Sequence, residues 1–278
     1  MHADRWLSLQ IQLFLRKRFL CTTERVRGGQ FARLLQDRRD YGGGKLGALL
    51  GTEQELEFLV ANAPRWKLKE RHYRGREATE AQINALEAPY ILHLATHGLF
   101  LPDVEVDDTG KTLARMQRAK RVSIALHDPM QRSGLAFTGA NLTLDAWQRG
   151  EVPPTGNDGI LTAQEVGSLN LNGTWLVVLS ACDTGIGEVD RGEGILGLRR
   201  GFVQAGAQNL LMTLWPVSDK WTVEIMKDFY DRVLQTGDAP QALADVQRDW
   251  LVRLKKEKGA LLAARIAGPF IMTFQGRP

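Results

Sequence analysis

Apolar positions along the chain follow two periods in turn. "YILHLATHG", "WLVVLSACDTG" and "QNLLMTLW" each begin as a short run of leucine, valine and isoleucine, the pattern of strands buried on both faces. Downstream the spacing becomes helical. Met226, Phe229, Tyr230, Val233 and Leu234 share one helical face, and Leu243, Val246, Trp250, Leu251 and Leu254 form a stripe that starts near Pro240 and closes in lysines before Gly259. Thr52 with Glu55, and Thr79 with Gln82, have capping-box spacing and predict short helices ahead of "LEFLVA" and "INAL". "WKLKERHY" alternates as a half-exposed edge strand does. "GILTAQEVGSL" and "ILGLRRGFVQAGA" read as further helices, and "PFIMTF" as the last strand.

Strands that alternate with helices predict an α/β fold: a mostly parallel sheet, right-handed crossovers and helices on both faces. No segment repeats at a fixed period, so a solenoid is excluded. From Pro102 to about Asn157 the pattern dissolves into a polar stretch rich in Asp, Gly, Pro and Arg, with one predicted helix over Thr112 to Arg121. A loop of that length in a compact domain is functional or disordered. The simplest division is an atypical basic segment, residues 1–39, followed by one domain, residues 40–278, with a long insertion at about 102–157.

Composition narrows the function classes. The 278 residues, 44% hydrophobic and 24% charged, suffice for a large core and exclude a disordered chain. The net charge of +4 is uneven. Residues 1–50 hold ten Lys/Arg and four Asp/Glu, about +6, which leaves about −2 for the rest. The basic end reads as a solvated terminus, so no nucleic-acid partner is expected. "WLSLQIQLFL" is interrupted by Gln10 and Gln12 and followed by Arg16, Lys17 and Arg18, so it suits neither a signal peptide nor a membrane span. Two cysteines, Cys21 and Cys182, make no disulfide framework and suit a reducing, cytoplasmic setting.

Two of the predicted strands stop at reactive residues, one at His97-Gly98 and the other at Cys182. Ligands of open parallel sheets bind outside the carboxyl ends of the strands, and both residues fall there. On neighbouring strands the imidazole would take the thiol proton or stabilise the thiolate, a Cys/His dyad. The amides of Gly98 and Cys182 are candidates for an oxyanion hole. A thiol of ordinary pKa is roughly 3% ionised at pH 7, so full ionisation contributes at most about 2 kcal/mol. Enzymic acceleration starts near ~8 kcal/mol, so positioning and oxyanion stabilisation must supply most of it. The duller alternative is a buried structural cysteine.

His93, mid-strand, reads as a satisfied core histidine. His2, His72 and His127 have no partner at metal-ligand spacing, so no metal or other cofactor is expected. "GEGILG" lacks the Lys-Ser/Thr of a phosphate loop.

The blocks "ILHLATHG", "DPMQRSGLAFTGAN", "DGILTAQEV", "LVVLSACDTGIGEVDRGEGILGLRRGFVQAGAQNLLMTLWPVSDKWT" and "PFIMTFQG" resemble the CHAT-domain family of caspase-like cysteine peptidases, of the clan of caspases and separase. The resemblance implies a caspase-like three-layer sandwich, with His97 as catalytic histidine, Cys182 as nucleophile and the Gly98 and Cys182 amides as oxyanion hole. It makes Trp215, Pro216, Val217 and Asp219 candidates for a cleft that binds substrate as an added strand. Asp219 or Glu193 is a candidate acceptor for a basic side chain, each with a structural alternative. It also requires a first sheet strand, for which Gln30 to Asp37 is the candidate.

The function expected is endoproteolysis of a protein or peptide substrate through an acyl-enzyme. The alternatives are a catalytically silent scaffold and a latent peptidase awaiting a partner. Tetratricopeptide repeats, which often accompany this domain, are absent from the sequence, so a repeat protein is the partner expected for recognition or activation.

Overall fold

The computed structural model describes residues 8–13, 46, 49–100, 128–148, 157–180, 191–215 and 217–275. Its strands, in chain order, are β1 (Ser8–Leu13), β2 (Lys69–Arg74), β3 (Ile91–Ala95), β4 (Gly98–Phe100), β5 (Ser133–Ala136), β6 (Ile160–Thr162), β7 (Leu176–Leu179), β8 (Asn209–Thr213) and β9 (Phe270–Phe274). The helices are α1 (Leu50–Asn62), α2 (Glu80–Asn84), α3 (Pro129–Arg132), α4 (Ala140–Gln148), α5 (Ala163–Val166), α6 (Arg191–Gln204), α7 (Asp219–Thr236), α8 (Ala239–Lys258) and α9 (Ala260–Ala267).

Six strands form the main sheet in the order β2-β1-β3-β7-β8-β9, parallel except for β9, which runs against β8. Strand alternation then divides the core. Ile91, Ala95, Leu176, Val178 and Leu211 face one side and pack with α1, α7, α8 and α9. Leu92, Leu94, Val177, Leu179, Leu210 and Met212 face the other and pack with α5, α6 and the small sheet β4-β5-β6. The result is the expected sandwich of a mostly parallel sheet between two outer layers.

Several expectations change. The position beside β3 is taken by Ser8–Leu13. That stretch lies in the run weighed as a membrane or signal segment, and Gln30 to Asp37 falls outside the described residues. "SLQIQL" alternates polar and apolar residues strictly, a strand pattern in its own right. The polar stretch after Pro102 is partly built. Within it α3, β5 and α4 are ordered elements, and β5 holds β4 and β6 together through antiparallel pairing. The helix predicted over Thr112 to Arg121 lies outside the described residues. "GILTAQEV" is a strand then a helix, with a genuine capping box in which the Thr162 hydroxyl accepts from Glu165 N and the Glu165 carboxylate accepts from Thr162 N.

Helix α6 approaches its neighbours through glycines. A Cβ on Gly197 would lie 2.5 Å from the Pro129 oxygen, and one on Gly201 would lie 2.4 Å from the Ala163 oxygen. Alanine is the better helix former by about 1 kcal/mol, yet here the backbone contact decides the sign. Gly201→Ala is expected to destabilise by about 1–3 kcal/mol in urea unfolding; a stabilised variant would show that α6 does not pack on α5 this closely.

Candidate active site

Strand β3 ends at Ala95, two residues earlier than the sequence suggested. Thr96 and His97 then form a link, and Gly98 opens β4 in the small sheet. The link is fixed at both residues. The Thr96 hydroxyl donates to the Ala136 carbonyl, and Ala136 N donates to the His97 carbonyl at 2.9 Å. His97 is 2% exposed. Because His97 and Ala136 are bonded across the pair, Gly98 faces Leu135 in the non-hydrogen-bonded position. Its N–H is directed away from β5, the side on which β4 has no neighbour in the described sheet.

Beside this link stands the end of β7. Leu94 pairs with Leu179, and Ser180 N donates to the Leu94 carbonyl at 2.9 Å, so the parallel register continues one residue past the strand. Cys182 lies two residues further along the chain, outside the described residues.

The expected cleft residues scatter in role. Trp215 is 38% exposed, and its indole N–H donates to the Arg265 carbonyl at 3.0 Å, tying it to the end of α9. Val217 is buried in the larger core. Asp219 opens α7, and its carboxylate accepts from Gly51 N at 3.1 Å. Pro216 and the Glu193 side chain lie outside the described residues. Strand β8 has β7 on one side and β9 on the other, and Leu214 N already donates to the Pro269 carbonyl. Strand β8 itself therefore has no free edge for an added strand.

The sequence presents Glu55 only as a helix cap. Its capping-box role fails because α1 begins at Leu50, ahead of Thr52, whose hydroxyl donates to the Leu49 carbonyl. The Glu55 carboxylate instead reaches the sheet. One oxygen is 2.9 Å from His93 Nε2, and the other accepts from the Ser180 hydroxyl at 2.9 Å. His93 is the satisfied core histidine expected, its Nδ1 2.9 Å from the Tyr230 hydroxyl. A small hollow beside this network is lined by Gly51, Thr52, Glu55, Ser180, Asp219 and Thr222. Among the described residues no group of three or more His, Cys, Asp and Glu side chains is placed to hold a metal ion.

Burial, and then the nearby Glu55 carboxylate, push the Tyr230 hydroxyl well above the ordinary tyrosine pKa. The folded state therefore keeps a proton that the unfolded chain loses near pH 10. This contribution is fully present below that pH and is lost as pH rises toward the folded value. Denaturation between pH 8 and 11 is expected to show stability falling above about pH 10. Tyr230→Phe should remove that component of the fall while costing about 1–3 kcal/mol at pH 8, because a His93 nitrogen is left unpaired. An unchanged alkaline slope in the variant would contradict the assignment.

A mostly parallel sheet layered between helices, with a histidine at the carboxyl end of one central strand and its neighbour leading toward a cysteine, defines a caspase-like α/β protein. The family model for the CHAT domain matches residues 9–264, so the chain belongs to the CHAT domain family, which is related to the caspase-like peptidases. The match begins inside β1, so that strand is counted in the family's domain. No curated protein matches the chain. Among the described residues no helix is long and apolar enough to cross a membrane.

Proposed function

We propose that the protein is a cysteine endopeptidase in which Cys182 attacks a peptide carbonyl, His97 takes the thiol proton and passes it to the leaving amine, and water hydrolyses the acyl-enzyme. The observation that carries this reading is the adjacency of β3 and β7. Leu94 and Leu179 are register partners, and His97 and Cys182 each follow three residues later. The strands that precede the two reactive residues thus end side by side, at the edge where residues of parallel sheets converge on ligands. Gly98 N–H, turned away from β5 and with no side chain to shield it, suits one donor of an oxyanion hole, and the Cys182 amide is the second donor proposed.

The substrate is a protein segment held in extended form along the loop after β8, where Trp215 offers exposed apolar surface. A reducing compartment such as the cytoplasm fits a nucleophile that must stay a free thiol. The test is cleavage of a proteome-derived peptide library by the wild-type chain and by Cys182→Ala, read by mass spectrometry. New termini made only by wild type support the peptidase; identical profiles would leave the chain a silent scaffold.

A further inference from the structure

Glu55, His93, Tyr230 and Ser180 are each no more than 7% exposed, and they form one connected chain of hydrogen bonds. Its proton directions follow from the donor inventory. In the tautomer assigned to His93, Nε2 donates to Glu55 and Nδ1 accepts from the Tyr230 hydroxyl, which burial keeps protonated. The Ser180 hydroxyl donates to the other Glu55 oxygen, so these side-chain groups satisfy one another. The group contains a serine, a histidine and an acid, but it is no second nucleophilic site. Ser180 donates to the acid, whereas a nucleophilic serine must donate to the imidazole.

What the network does is mechanical. It joins helix α1, strands β3 and β7, and helix α7 at one point. Ser180 is held twice, by its amide on Leu94 and by its hydroxyl on Glu55. We propose that Glu55 is a positioning residue: by gripping Ser180 it fixes the exit of β7 against β3, and so sets the distance between Cys182 and His97. The proposal rests on the Cys182/His97 reading. Cys182 follows Ser180 by two residues, so little chain separates the held residue from the thiol. A displacement of Ser180 by about 1 Å is enough to cost on the order of 100-fold in a reaction that depends on alignment.

The test measures the thiol directly and needs no substrate. In a Cys21→Ser background, iodoacetamide reports Cys182 alone, and its alkylation rate is followed against pH with unfolding midpoints as controls. His97→Ala should slow alkylation at neutral pH. Ser180→Ala should slow it about tenfold or more with little change in midpoint. Glu55→Gln should retain most of the rate, because the amide oxygen can still accept from Ser180 while its NH2 donates to the other tautomer of His93. A Ser180→Ala rate equal to wild type, in a protein where His97→Ala does slow alkylation, overturns the positioning role alone. A rate indifferent to His97→Ala overturns the dyad and the positioning role with it. Should Glu55→Ala fail to fold, Ser180→Ala and Glu55→Gln still decide.

Discussion

Cys182→Ala is expected to lower kcat/KM for a cleaved peptide by on the order of 10⁴-fold or more, and His97→Ala by a comparable factor. Thiolate formation alone accounts for only about 2 kcal/mol, a factor of roughly 30. The larger losses arise because the thiol is both the attacking atom and the point from which the oxyanion is placed against its donors, and because the imidazole must return a proton to the leaving amine. Two residues that act as a unit are not additive. The double variant should therefore be no slower than the worse single one. Additive losses, measured on one peptide under one set of conditions, would mean that the two residues work independently and that no dyad exists.

The largest stability effect is expected at Phe229. Its side chain is fully buried in the larger core, with its ring 5.8 Å from Tyr230 in edge-on contact. Phe229→Ala removes that ring from between α7 and the sheet, and cavities of this kind cost about 3–5 kcal/mol. In a domain of this size that corresponds to a fall in midpoint on the order of 10 °C. The same substitution also loosens the helix that carries Tyr230, so the alkaline fall in stability described for wild type should begin from a lower plateau. A loss under about 1 kcal/mol, in urea or heat, would contradict the packing of α7 on β3 and β7.

The layered fold was legible because buried parallel strands and amphipathic helices leave different periods. "YILHLA" and "WLVVLS" are apolar on both faces, and each lies between layers. The stripes on α7 and α8 were read correctly for the same reason, since one face meets the core and the other meets water. Strand β1 carried its own signal in the alternation of "SLQIQL", but its polar glutamines were weighed only against a membrane segment. Helix α9 was missed because Gly259, with φ of 88°, ends α8 and begins α9 with no polar linker between them. The small sheet was missed because its strands are three or four residues long, too short for a period to show.

The strand that leads to His97 was legible from its apolar run, although β3 itself ends at Ala95 and Gly98 already belongs to β4. Glu55 was not legible as a site residue. Three residues after a threonine, a glutamate reads as a cap, and only the true start of α1 turns it toward His93 and Ser180. Long-range pairs such as Glu55 with Ser180 leave no trace in local spacing. Likewise Asp219 reads as a substrate acceptor in sequence, while the structure commits one of its oxygens to Gly51 N.

The proposed reaction is covalent: Cys182 becomes acylated with the help of His97. The direct measurement is rapid quenching of the protein after mixing with an activated thioester or nitrophenyl ester, followed by peptide mapping. An acyl group is expected on Cys182 in wild type, strongly reduced in His97→Ala and absent in Cys182→Ala. Acylation at other residues only, or at Cys182 with equal yield in His97→Ala, would contradict it.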